Sequence, residues 1–379
     1  MSKSELVRLA IVGMGRMGSV HARSLIEGTV SRAKLCAVCD IDPATLARSP
    51  EVLRFASSRE LVASGSVDAI LIATPHYDHA PIAVEALAAG LHVLTEKPLA
   101  VHKADGQKML AAYAERPNQA QVFAEMFNLR ADPRFIELRA RIARGELGEL
   151  RRINWIITDW FRTEAYYRSG GWRATWRGEG GGALLNQCPH NLDLWQWLFG
   201  MPARLQAFCG FGRFHEIEVE DQVTAYLEYA NGTTGVFVTS TGEAPGTNRL
   251  EVVGDLGKIV LEGDGLRFTR NEVSMLEVLK HSSDRYARPK TTTEFLPMSP
   301  PGPLHQILTQ NFVDAILDGT PLIAPAQEGL ASVELANAMI YSGLKKQPVE
   351  FPLDAALYAE ELARLVANSA HSRAEIARS

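Results

Sequence analysis

A glycine-rich turn near the amino terminus constrains the fold of this chain more than any other feature. The apolar run VRLAIV at 7–12 leads into GMGRMG, which places Gly13, Gly15 and Gly18 in a G-x-G-x-x-G spacing, and a helical pattern follows at 16–28. Between a strand and a helix, such glycines allow a tight turn whose backbone N–H groups approach a pyrophosphate at the positive helix end. The stretch therefore predicts a dinucleotide-binding βαβ unit.

The rest of the chain shows two patterns. Before about residue 150, short apolar runs alternate with helical patterns that end in glycine, which is typical of a doubly wound parallel sheet. From about residue 151, longer alternating runs with hairpin turns such as Asn231-Gly232 indicate an antiparallel sheet. Helical patterns return at 304–318 and 325–345, and segment 287–303 has the composition of a loop.

These patterns predict the fold class α/β plus α+β. An N-terminal Rossmann domain, with a doubly wound parallel sheet that binds a dinucleotide, is expected at 1–130. A C-terminal domain with a mainly antiparallel open sheet is expected at 131–350, and a helical tail at 351–379.

The composition limits the class of partner. The 379 residues, 46% of them hydrophobic, exceed what one core usually serves, so two domains are expected. Lys and Arg number 39 against 44 Asp and Glu, a net charge of -5 without a basic block, so nucleic acid is not an expected partner. No run approaches membrane-spanning length and the start lacks the pattern of a signal peptide, so we expect a cytoplasmic protein with no membrane partner.

The cysteines favour neither a disulfide scaffold nor a metal site. Four are too few for a scaffold. Cys36 and Cys39 form a C-x-x-C within a predicted strand, where residues three apart point to opposite faces and chelate a metal poorly. Buried free thiols and no metal are expected.

An acidic residue after the second predicted strand indicates which dinucleotide binds. Asp40 follows the run AKLCAVC. A carboxylate there accepts hydrogen bonds from the adenosine ribose hydroxyls and repels a 2′-phosphate, which favours NAD over NADP. The expected contacts in this part of the cofactor site are Gly13, Met14, Gly15, Arg16, Met17, Gly18 and Asp40.

Two further loops leave the carboxyl ends of predicted strands, where open α/β sheets bind ligands. They are TPHYDHAP at 74–81 and TEKPLA at 95–100. In the second, Lys97 is suited to donate a hydrogen bond to a substrate hydroxyl and steady its oxygen, with an ordinary surface lysine as the alternative. His190, at the start of a predicted amphipathic helix, is either a catalytic base or a structural residue.

Five motifs in the same order resemble the glucose-fructose oxidoreductase and inositol dehydrogenase family, Gfo/Idh/MocA. They are GMGRMG, ATPHYDHAP, TEKPLA, GGGALLNQCPHNLDLWQWLFG and NFVDAILDGTPLIAPAQEGLASVELANAMIYSG. The likeness covers nearly the whole chain and implies hydride transfer between a nicotinamide and a carbinol of a sugar or cyclitol. It also implies a C-terminal sheet often used for oligomerisation, here as a homodimer or homotetramer.

The resemblance assigns roles to residues by motif match. Glu96 and Lys97 fall at the nicotinamide ribose and the reacting hydroxyl, and His190 falls at the catalytic histidine. The NAD contacts that the match adds are Thr74, Pro75, His76, His79, Glu96 and Lys97.

The chain departs from the family pattern at two points. Asn186 stands where many members have Asp, and an amide can orient a hydroxyl or an imidazole but cannot take a proton. Asp193, three residues after His190, could share its helical face and supply the charge instead, or simply stabilise the first turns of the helix. His76 stands where the family often has Asn, which leaves its cofactor contact open. The expected catalytic set is Lys97, His190, Asn186 and Asp193.

The segment DWFRTEAYYRSGGWRATWRGEGGG at 159–182 is the expected substrate side. It is rich in residues that stack on sugar faces and bind hydroxyls or anions. The expected contacts are Asp159, Arg162, Tyr166, Tyr167, Trp172 and Arg173. Its four arginines suggest a carboxylated or sulfonated sugar, although salt bridges to Asp159, Glu164 and Glu179 are an equal alternative.

Three functions fit these residues. The leading one is an NAD-dependent oxidoreductase acting on a ring hydroxyl of a sugar, cyclitol or glycoside. The second is a redox-neutral NAD-dependent glycoside hydrolase that oxidises, eliminates the aglycone and reduces again, with Tyr166, Tyr167 and Asp159 as candidate extra groups. The third is a non-catalytic NAD-binding sugar sensor, which would have no need for both Lys97 and His190.

Overall fold

The N-terminal apolar runs form a six-stranded parallel sheet in the computed structural model, which describes residues 5–369. Its strands are β1 (Val7–Val12), β2 (Ala33–Cys39), β3 (Leu53–Phe55), β4 (Ala69–Ile72), β5 (His92–Thr95) and β6 (Phe123–Glu125). They lie in the order β3-β2-β1-β4-β5-β6, so the order reverses between β1 and β4, where doubly wound sheets bind ligands. The predicted Rossmann sheet is confirmed.

Helices cover both faces of this sheet. They are α1 (Arg16–Ile26), α2 (Pro43–Arg48), α3 (Ser58–Ala63), α4 (His76–Ala88) and α5 (Lys103–Ala114). Alternate side chains of β1 enter different cores: Leu9 and Ile11 pack with Leu25 of α1, whereas Ala10 and Val12 belong to the core that contains α4. Burial on both faces explains why β1 is continuously apolar rather than alternating.

A nine-stranded, mainly antiparallel sheet forms the second layer, as predicted. Its strands are β7 (Leu150–Ile157), β8 (Arg204–Phe211), β9 (Glu220–Glu228), β10 (Thr234–Ser240), β11 (Asn248–Gly254), β12 (Gly257–Glu262), β13 (Gly265–Asn271), β14 (Thr291–Pro297) and β15 (Val349–Glu350). They lie in the order β14-β13-β12-β11-β7-β10-β9-β8-β15, and β7 and β10 form a parallel pair.

The remaining helices pack against one face of this sheet or link the two sheets. They are α6 (Pro133–Ala143), α7 (Glu164–Arg168), α8 (Ala183–Asn186), α9 (Pro189–Phe199), α10 (Met275–His281), α11 (Leu304–Asp318), α12 (Ala326–Lys345) and α13 (Ala355–Ala367). Large apolar side chains remain on the sheet, with Phe208 69% and Tyr226 44% exposed.

The prediction that 287–303 is a loop was wrong at its centre. Residues Thr291–Pro297 form β14, which pairs with β13 along its whole length at the edge of the sheet. Its side chains are almost all exposed, so it shows no buried alternation from which a strand could have been predicted.

The last part of the chain returns to the Rossmann sheet. The backbone N–H of Glu125, at the end of β6, donates to the carbonyl of Ala324 at 3.1 Å. The buried Lys103, at the start of α5, donates to Glu334 of α12 at 2.7 Å. These contacts hold the two sheets together, and the candidate site lies at their junction.

Three further predictions concern the chain ends and its environment. Helix α13 lies within the predicted helical tail, whereas 370–379 lie outside the described residues. Cys36, Cys39, Cys188 and Cys209 are free thiols. Among the helices of residues 5–369, none has both the length and the apolar character needed to span a membrane.

Candidate active site

The glycine-rich loop at the end of β1 has the geometry of a pyrophosphate cradle. Gly13 has a positive φ of 91°, and a Cβ there would lie 2.7 Å from the backbone of Ala73. A Cβ at Gly18 would lie 1.9 Å from the carbonyl oxygen of Gly13, whereas a Cβ at Gly15 would meet nothing within 4 Å. Gly13 and Gly18 thus shape the turn, and Gly15 keeps open the space in front of the helix N-terminus.

Two polar groups flank this loop. Asp40 accepts hydrogen bonds from the backbone N–H of Met14 at 2.7 Å and of Asp42 at 2.9 Å, so its carboxylate is held beside the loop. The hydroxyl of Thr74, after β4, is buried and has no hydrogen-bond partner among the described residues. Both groups fit a dinucleotide, which would offer ribose and phosphate oxygens at these positions.

The other predicted loop contacts differ in exposure. Arg16 and Pro75 are exposed, and Met17 is half-buried, so all three can reach a ligand in front of the loop. The side chain of Met14 is buried in the core beneath α1, which leaves only its backbone for such a contact.

His79 is fully buried between the loops after β4 and β5. Its two ring nitrogens lie 2.8 Å from the carbonyl oxygen of Pro98 and 2.9 Å from that of Thr74. A neutral ring donates to one of these oxygens and packs against the other, and its contact with NAD stays a prediction.

His76 faces the substrate segment. Its Nδ1 lies 3.2 Å from the carbonyl oxygen of Glu179, and its ring packs edge-on against Trp172 at 5.4 Å. Burial and then the neighbouring His79 and Lys97 lower the pKa of His76 well below its ordinary value, so the ring is neutral.

Glu96 is buried at the end of β5, where it forms a pair that the sequence did not reveal. His21 of α1 donates to its carboxylate at 2.8 Å, and His305 of α11 packs against the His21 ring at 5.8 Å. Burial acts to raise the pKa of Glu96, but His21, Lys97 and His305 outweigh it and lower the pKa to about 2. Glu96 is therefore a carboxylate at neutral pH.

Lys97 joins the Rossmann loop to the second domain. Its ammonium group donates to the backbone carbonyl of Asn186, at the end of α8, at 2.6 Å. Burial lowers the pKa of Lys97, while Glu96 and Glu179 oppose the change. The lysine is thus fixed in a site that disfavours its charge, as is common for functional lysines.

His190 lies in the first turn of α9, next to this lysine. Its Nδ1 is buried without a hydrogen-bond partner among the described residues, and its ring packs edge-on against Phe127. Burial and then the Lys97 ammonium lower the pKa of His190 to about 3. The imidazole is therefore neutral at physiological pH and able to accept a proton.

Asp193 does not supply charge to His190, which corrects the prediction. Its carboxylate accepts two hydrogen bonds from Arg130, at 2.5 and 2.8 Å, and both side chains are 1% exposed. Arg130 also binds Glu328 of α12. His190 and Asp193 both lie on α9, as their spacing predicts, but the Asp193 carboxylate faces Arg130, which is distant in sequence.

The substrate segment brings two predicted residues to Lys97 and Asn186. The Tyr166 hydroxyl donates to the side-chain oxygen of Asn186 at 3.4 Å and accepts from Arg173 at 3.0 Å and from Gln187 at 3.2 Å. Arg173 stacks on the rings of Tyr166 and Trp172, at 4.9 and 4.6 Å. These residues form one wall of the site.

Three other predicted substrate contacts are engaged elsewhere. Tyr167 is buried and its hydroxyl bonds with that of Thr241 at 2.8 Å, so it faces the core. Asp159 accepts from the amide of Asn248 at 3.1 Å. Arg162 stacks on Trp160 at 5.4 Å and on Tyr166, itself part of the wall, at 5.0 Å.

Sequence reasoning missed three residues of the site. His21 follows Gly18 by one helical turn, a spacing that could have placed it toward the sheet edge. His305 comes from a distant helix and left no local signal. Glu179 was considered only as an alternative salt-bridge partner for the arginines, whereas its carboxylate accepts hydrogen bonds from the amide of Asn186 and the backbone N–H of Ala174.

Comparison with known proteins agrees with this arrangement. Residues 7–124 match the model of an oxidoreductase family with an NAD-binding Rossmann fold, and residues 135–260 match that of the GFO/IDH/MocA C-terminal domain. The chain belongs to the Gfo/Idh/MocA oxidoreductase family. Its N-terminal domain is thus an NAD-binding domain, as predicted.

Three members of the family illustrate the relationship. Inositol 2-dehydrogenase of Rhizobium meliloti is 25% identical over 354 residues, which cover 90% of this chain and 98% of the relative. The scyllo-inositol 2-dehydrogenase (NAD(+)) of Bacillus subtilis is 27% identical over 67% of this chain and 73% of its own. The WlbA dehydrogenase from Bordetella pertussis, in complex with NADH and UDP-GlcNAcA, superposes with a TM-score of 0.77 at 25% identity over 92% of this chain and 100% of its own.

Proposed function

We propose that this protein transfers a hydride between NAD and a ring carbon that bears a hydroxyl group in a sugar or cyclitol. The observation that carries the proposal is that the Lys97 ammonium binds the backbone carbonyl of Asn186 at 2.6 Å, four residues before His190 in the first turn of α9. Burial and then this ammonium lower the pKa of His190, so the imidazole beside the lysine is neutral. A hydrogen-bond donor and a neutral base beside one another are what alcohol oxidation requires. The inositol dehydrogenases among the relatives support the substrate class.

The residues around the glycine-rich loop would hold the cofactor. The open space at Gly15 would admit the pyrophosphate, Asp40 would accept from the ribose, and the unpartnered hydroxyl of Thr74 would gain a partner. Bound there, NAD supplies the hydride acceptor or donor. Glu96, at the end of β5, would face its nicotinamide half.

The proton is handled by the chain's own side chains. In oxidation, His190 takes the proton of the substrate hydroxyl, and the Lys97 ammonium donates a hydrogen bond to the oxygen while the carbonyl forms. In reduction, the same two groups act in reverse. Since Nδ1 of His190 has no hydrogen-bond partner among residues 5–369, no acid is hydrogen-bonded to this nitrogen, and Glu96 raises the pKa of the base only through its charge.

We further propose that the substrate carries an acidic group. Of the four arginines in the substrate segment, Arg168 lies 4.0 Å from Glu164 and Arg177 donates to a backbone carbonyl. Within the described residues, Arg162 and Arg173 have no carboxylate within 4.0 Å. Glu179 acts on Arg173 only from beyond salt-bridge distance, so the guanidinium of Arg173 can still bind a carboxylate or sulfonate of the substrate.

A panel of sugars tests both proposals. Neutral sugars, cyclitols and their carboxylated or sulfonated counterparts are incubated with NAD, and NADH formation is followed. We expect the acidic member of a pair to have the higher kcat/KM. The variant Arg173→Gln should lower kcat/KM for the acidic sugar by about 10- to 100-fold and for its neutral counterpart by much less, since a charge-assisted bond contributes about 1.5–3 kcal/mol.

The exposed Arg168→Gln is the matched control and should leave kcat/KM for each of the two sugars as it is in the wild type. A protein that binds NAD but forms no NADH with any substrate, in either direction, would refute the oxidoreductase and support a sensor. Equal losses on both sugars in Arg173→Gln would refute the acidic substrate alone.

One observation keeps redox-neutral glycoside hydrolysis as a second candidate. Elimination of an aglycone needs a further acid-base group near the oxidised ring. Of the three candidates, Tyr166 contacts Asn186 and Arg173, whereas Tyr167 and Asp159 are bound elsewhere. Aglycone release over many turnovers without accumulating NADH would establish the hydrolase. Stoichiometric NADH with an intact glycosidic bond would exclude it.

We also propose that the chain forms a homodimer or homotetramer through the exposed face of the nine-stranded sheet. The exposed Phe208 and Tyr226 lie on the neighbouring strands β8 and β9 of that face. Exposed aromatic side chains that lie next to each other form an apolar patch, which favours an interface. Light scattering of the purified protein measures the assembly. A monomer at all concentrations would contradict it.

A further inference from the structure

Glu179 and Lys97 both form hydrogen bonds with Asn186. The side-chain amide of Asn186 donates to the Glu179 carboxylate, and its backbone carbonyl accepts from the Lys97 ammonium at 2.6 Å. One asparagine thus contacts a cation through its backbone and a carboxylate through its side chain. No other acidic side chain of residues 5–369 hydrogen bonds to Asn186.

The position of Glu179 is costly for a merely structural residue. It is 2% exposed, and a buried carboxylate is destabilising unless hydrogen bonds and nearby cations compensate it. One oxygen accepts from the backbone N–H of Ala174 at 2.6 Å and the other from Asn186, while Arg173 and Lys97 provide positive charge nearby. Burial raises the pKa of Glu179, whereas the two hydrogen bonds and the two cations oppose that rise and favour the carboxylate form.

Lys97 needs such a partner. Burial disfavours its ammonium form and so does the nearby Arg173, whereas Glu96 and then Glu179 oppose the loss of charge, with Cys188 as a weaker contributor. The charge of Glu96 is already shared with His21, which donates to it at 2.8 Å. Glu179 is therefore the carboxylate whose charge is available to the lysine from the side of the second domain.

We propose that Glu179 is a positioning residue for Lys97: through Asn186 it holds the backbone carbonyl that the lysine binds, and its negative charge keeps the lysine protonated at the reacting hydroxyl. The role rests on the proposed function, in which Lys97 donates a hydrogen bond to the substrate oxygen. Asparagine at 186 cannot carry that charge itself, so the charge comes from seven residues earlier in the chain.

The proposal is tested by removing the charge of Glu179 and then returning a carboxylate at position 186. In Glu179→Gln the side chain keeps its length but loses its charge, so we expect the alkaline limb of the kcat profile to move to lower pH by about one unit and kcat near neutrality to fall about 10-fold. The NAD dissociation constant should stay within about twofold. In Glu179→Gln with Asn186→Asp, a carboxylate returns beside Lys97, and the alkaline limb should move back toward that of the wild type.

If Glu179 only shaped the turn at 174–179, a carboxylate at position 186 would not restore the alkaline limb. An unchanged alkaline limb in Glu179→Gln, or a double variant no better than the single one, overturns the proposal. Should Glu179→Gln not fold, the double variant is compared directly with the wild type. Its single carboxylate lies on the residue that binds Lys97, so the alkaline limb should lie at or above that of the wild type, and a limb at lower pH overturns the proposal.

Lys97 can also be titrated without any substrate. Competitive acetylation of the NAD-free protein across a pH series, with quantification of the Lys97 peptide by mass spectrometry, reports the pKa of this lysine directly. We expect it to be lower in Glu179→Gln than in the wild type and unchanged in the surface control Glu149→Gln, whose carboxylate is 76% exposed. Because no turnover is measured, this result separates failure of the Glu179 role from failure of the proposed reaction.

Discussion

The guanidinium of Arg130 binds the carboxylate of Asp193 through two hydrogen bonds, at 2.5 and 2.8 Å, in an environment where both side chains are 1% exposed. Arg130 follows β6 of the Rossmann domain, whereas Asp193 lies on α9, one turn after His190. The pair therefore anchors the helix of the proposed base to the cofactor domain. A third contact, from Arg130 to Glu328, includes α12 in the same network.

Asp193→Asn should destabilise the protein without changing the titration of His190. Removing one member of a buried ion pair leaves the other uncompensated, at a cost of about 3–5 kcal/mol in the free energy of unfolding. The pH dependence of kcat should be unchanged, because the carboxylate faces Arg130 and not the imidazole. Denaturant unfolding and a pH series measure the two effects. The control Glu328→Gln, at a carboxylate that is 46% exposed, should cost clearly less. A shifted pH profile at full stability would contradict this assignment.

Lys97→Ala and His190→Ala should each lower kcat by about 100-fold or more, since positioned acid-base groups contribute about 10²–10⁴-fold. Affinity for NAD, measured by titration, should remain nearly intact because the loop at Gly13 and Asp40 is unaltered. Lys108→Ala, at a side chain that is 71% exposed, is the control. Full turnover in His190→Ala would assign that residue a structural role.

The kcat/KM for oxidation should stay high well into the acidic range. His190 must be neutral to accept a proton, and with a pKa of about 3 it is neutral at every pH above that value. Lys97 must be protonated to donate, and because burial lowers its pKa, the alkaline limb should fall below the ordinary lysine value of 10.5. A pH series on the wild type tests this. An acidic limb near the usual histidine value of 6.5 that disappears in His190→Ala would contradict it.

NAD should bind much more tightly than NADP. The carboxylate of Asp40 would lie against a 2′-phosphate, and CDIDPATLAR brings no Lys or Arg directly after it. Asp40→Ser should reduce the preference for NAD over NADP. It removes the hydrogen-bond acceptor for the ribose of NAD and the negative charge that repels the 2′-phosphate of NADP. Cofactor titration of both proteins measures the ratio. Tighter NADP binding by the wild type would show that Asp40 is not at the ribose.

Two glycine variants should separate folding from cofactor binding. In Gly15→Ala the new methyl enters open space, so the melting temperature should hold while NAD binding weakens by about 10-fold or more. In Gly18→Ala the methyl would lie 1.9 Å from the carbonyl oxygen of Gly13, so the melting temperature itself should fall. Calorimetry and NAD titration distinguish the two. Unimpaired NAD binding in Gly15→Ala would place the pyrophosphate elsewhere.

Local pattern was enough to predict the Rossmann sheet, the glycine-rich turn and the change to an antiparallel sheet. Strands β1 and β2 begin and end at the predicted residues, because an apolar run bounded by turn signals specifies a buried strand within a few residues of chain. Lys97 and His190 were selected as candidates from motifs at strand and helix ends, which also depend on short-range spacing.

Tertiary packing decided which groups those candidates meet. The spacing of His190 and Asp193 predicted a common helical face. The Asp193 carboxylate nevertheless binds Arg130, because a buried charge is stable only where a partner of opposite sign packs against it. His21 reached Glu96 for the same reason, whereas Glu179 reached Asn186 because a buried carboxylate also requires hydrogen-bond donors. Periodicity along the chain specifies which way a side chain can point, whereas its partner is chosen by the three-dimensional arrangement of segments that no local spacing encodes.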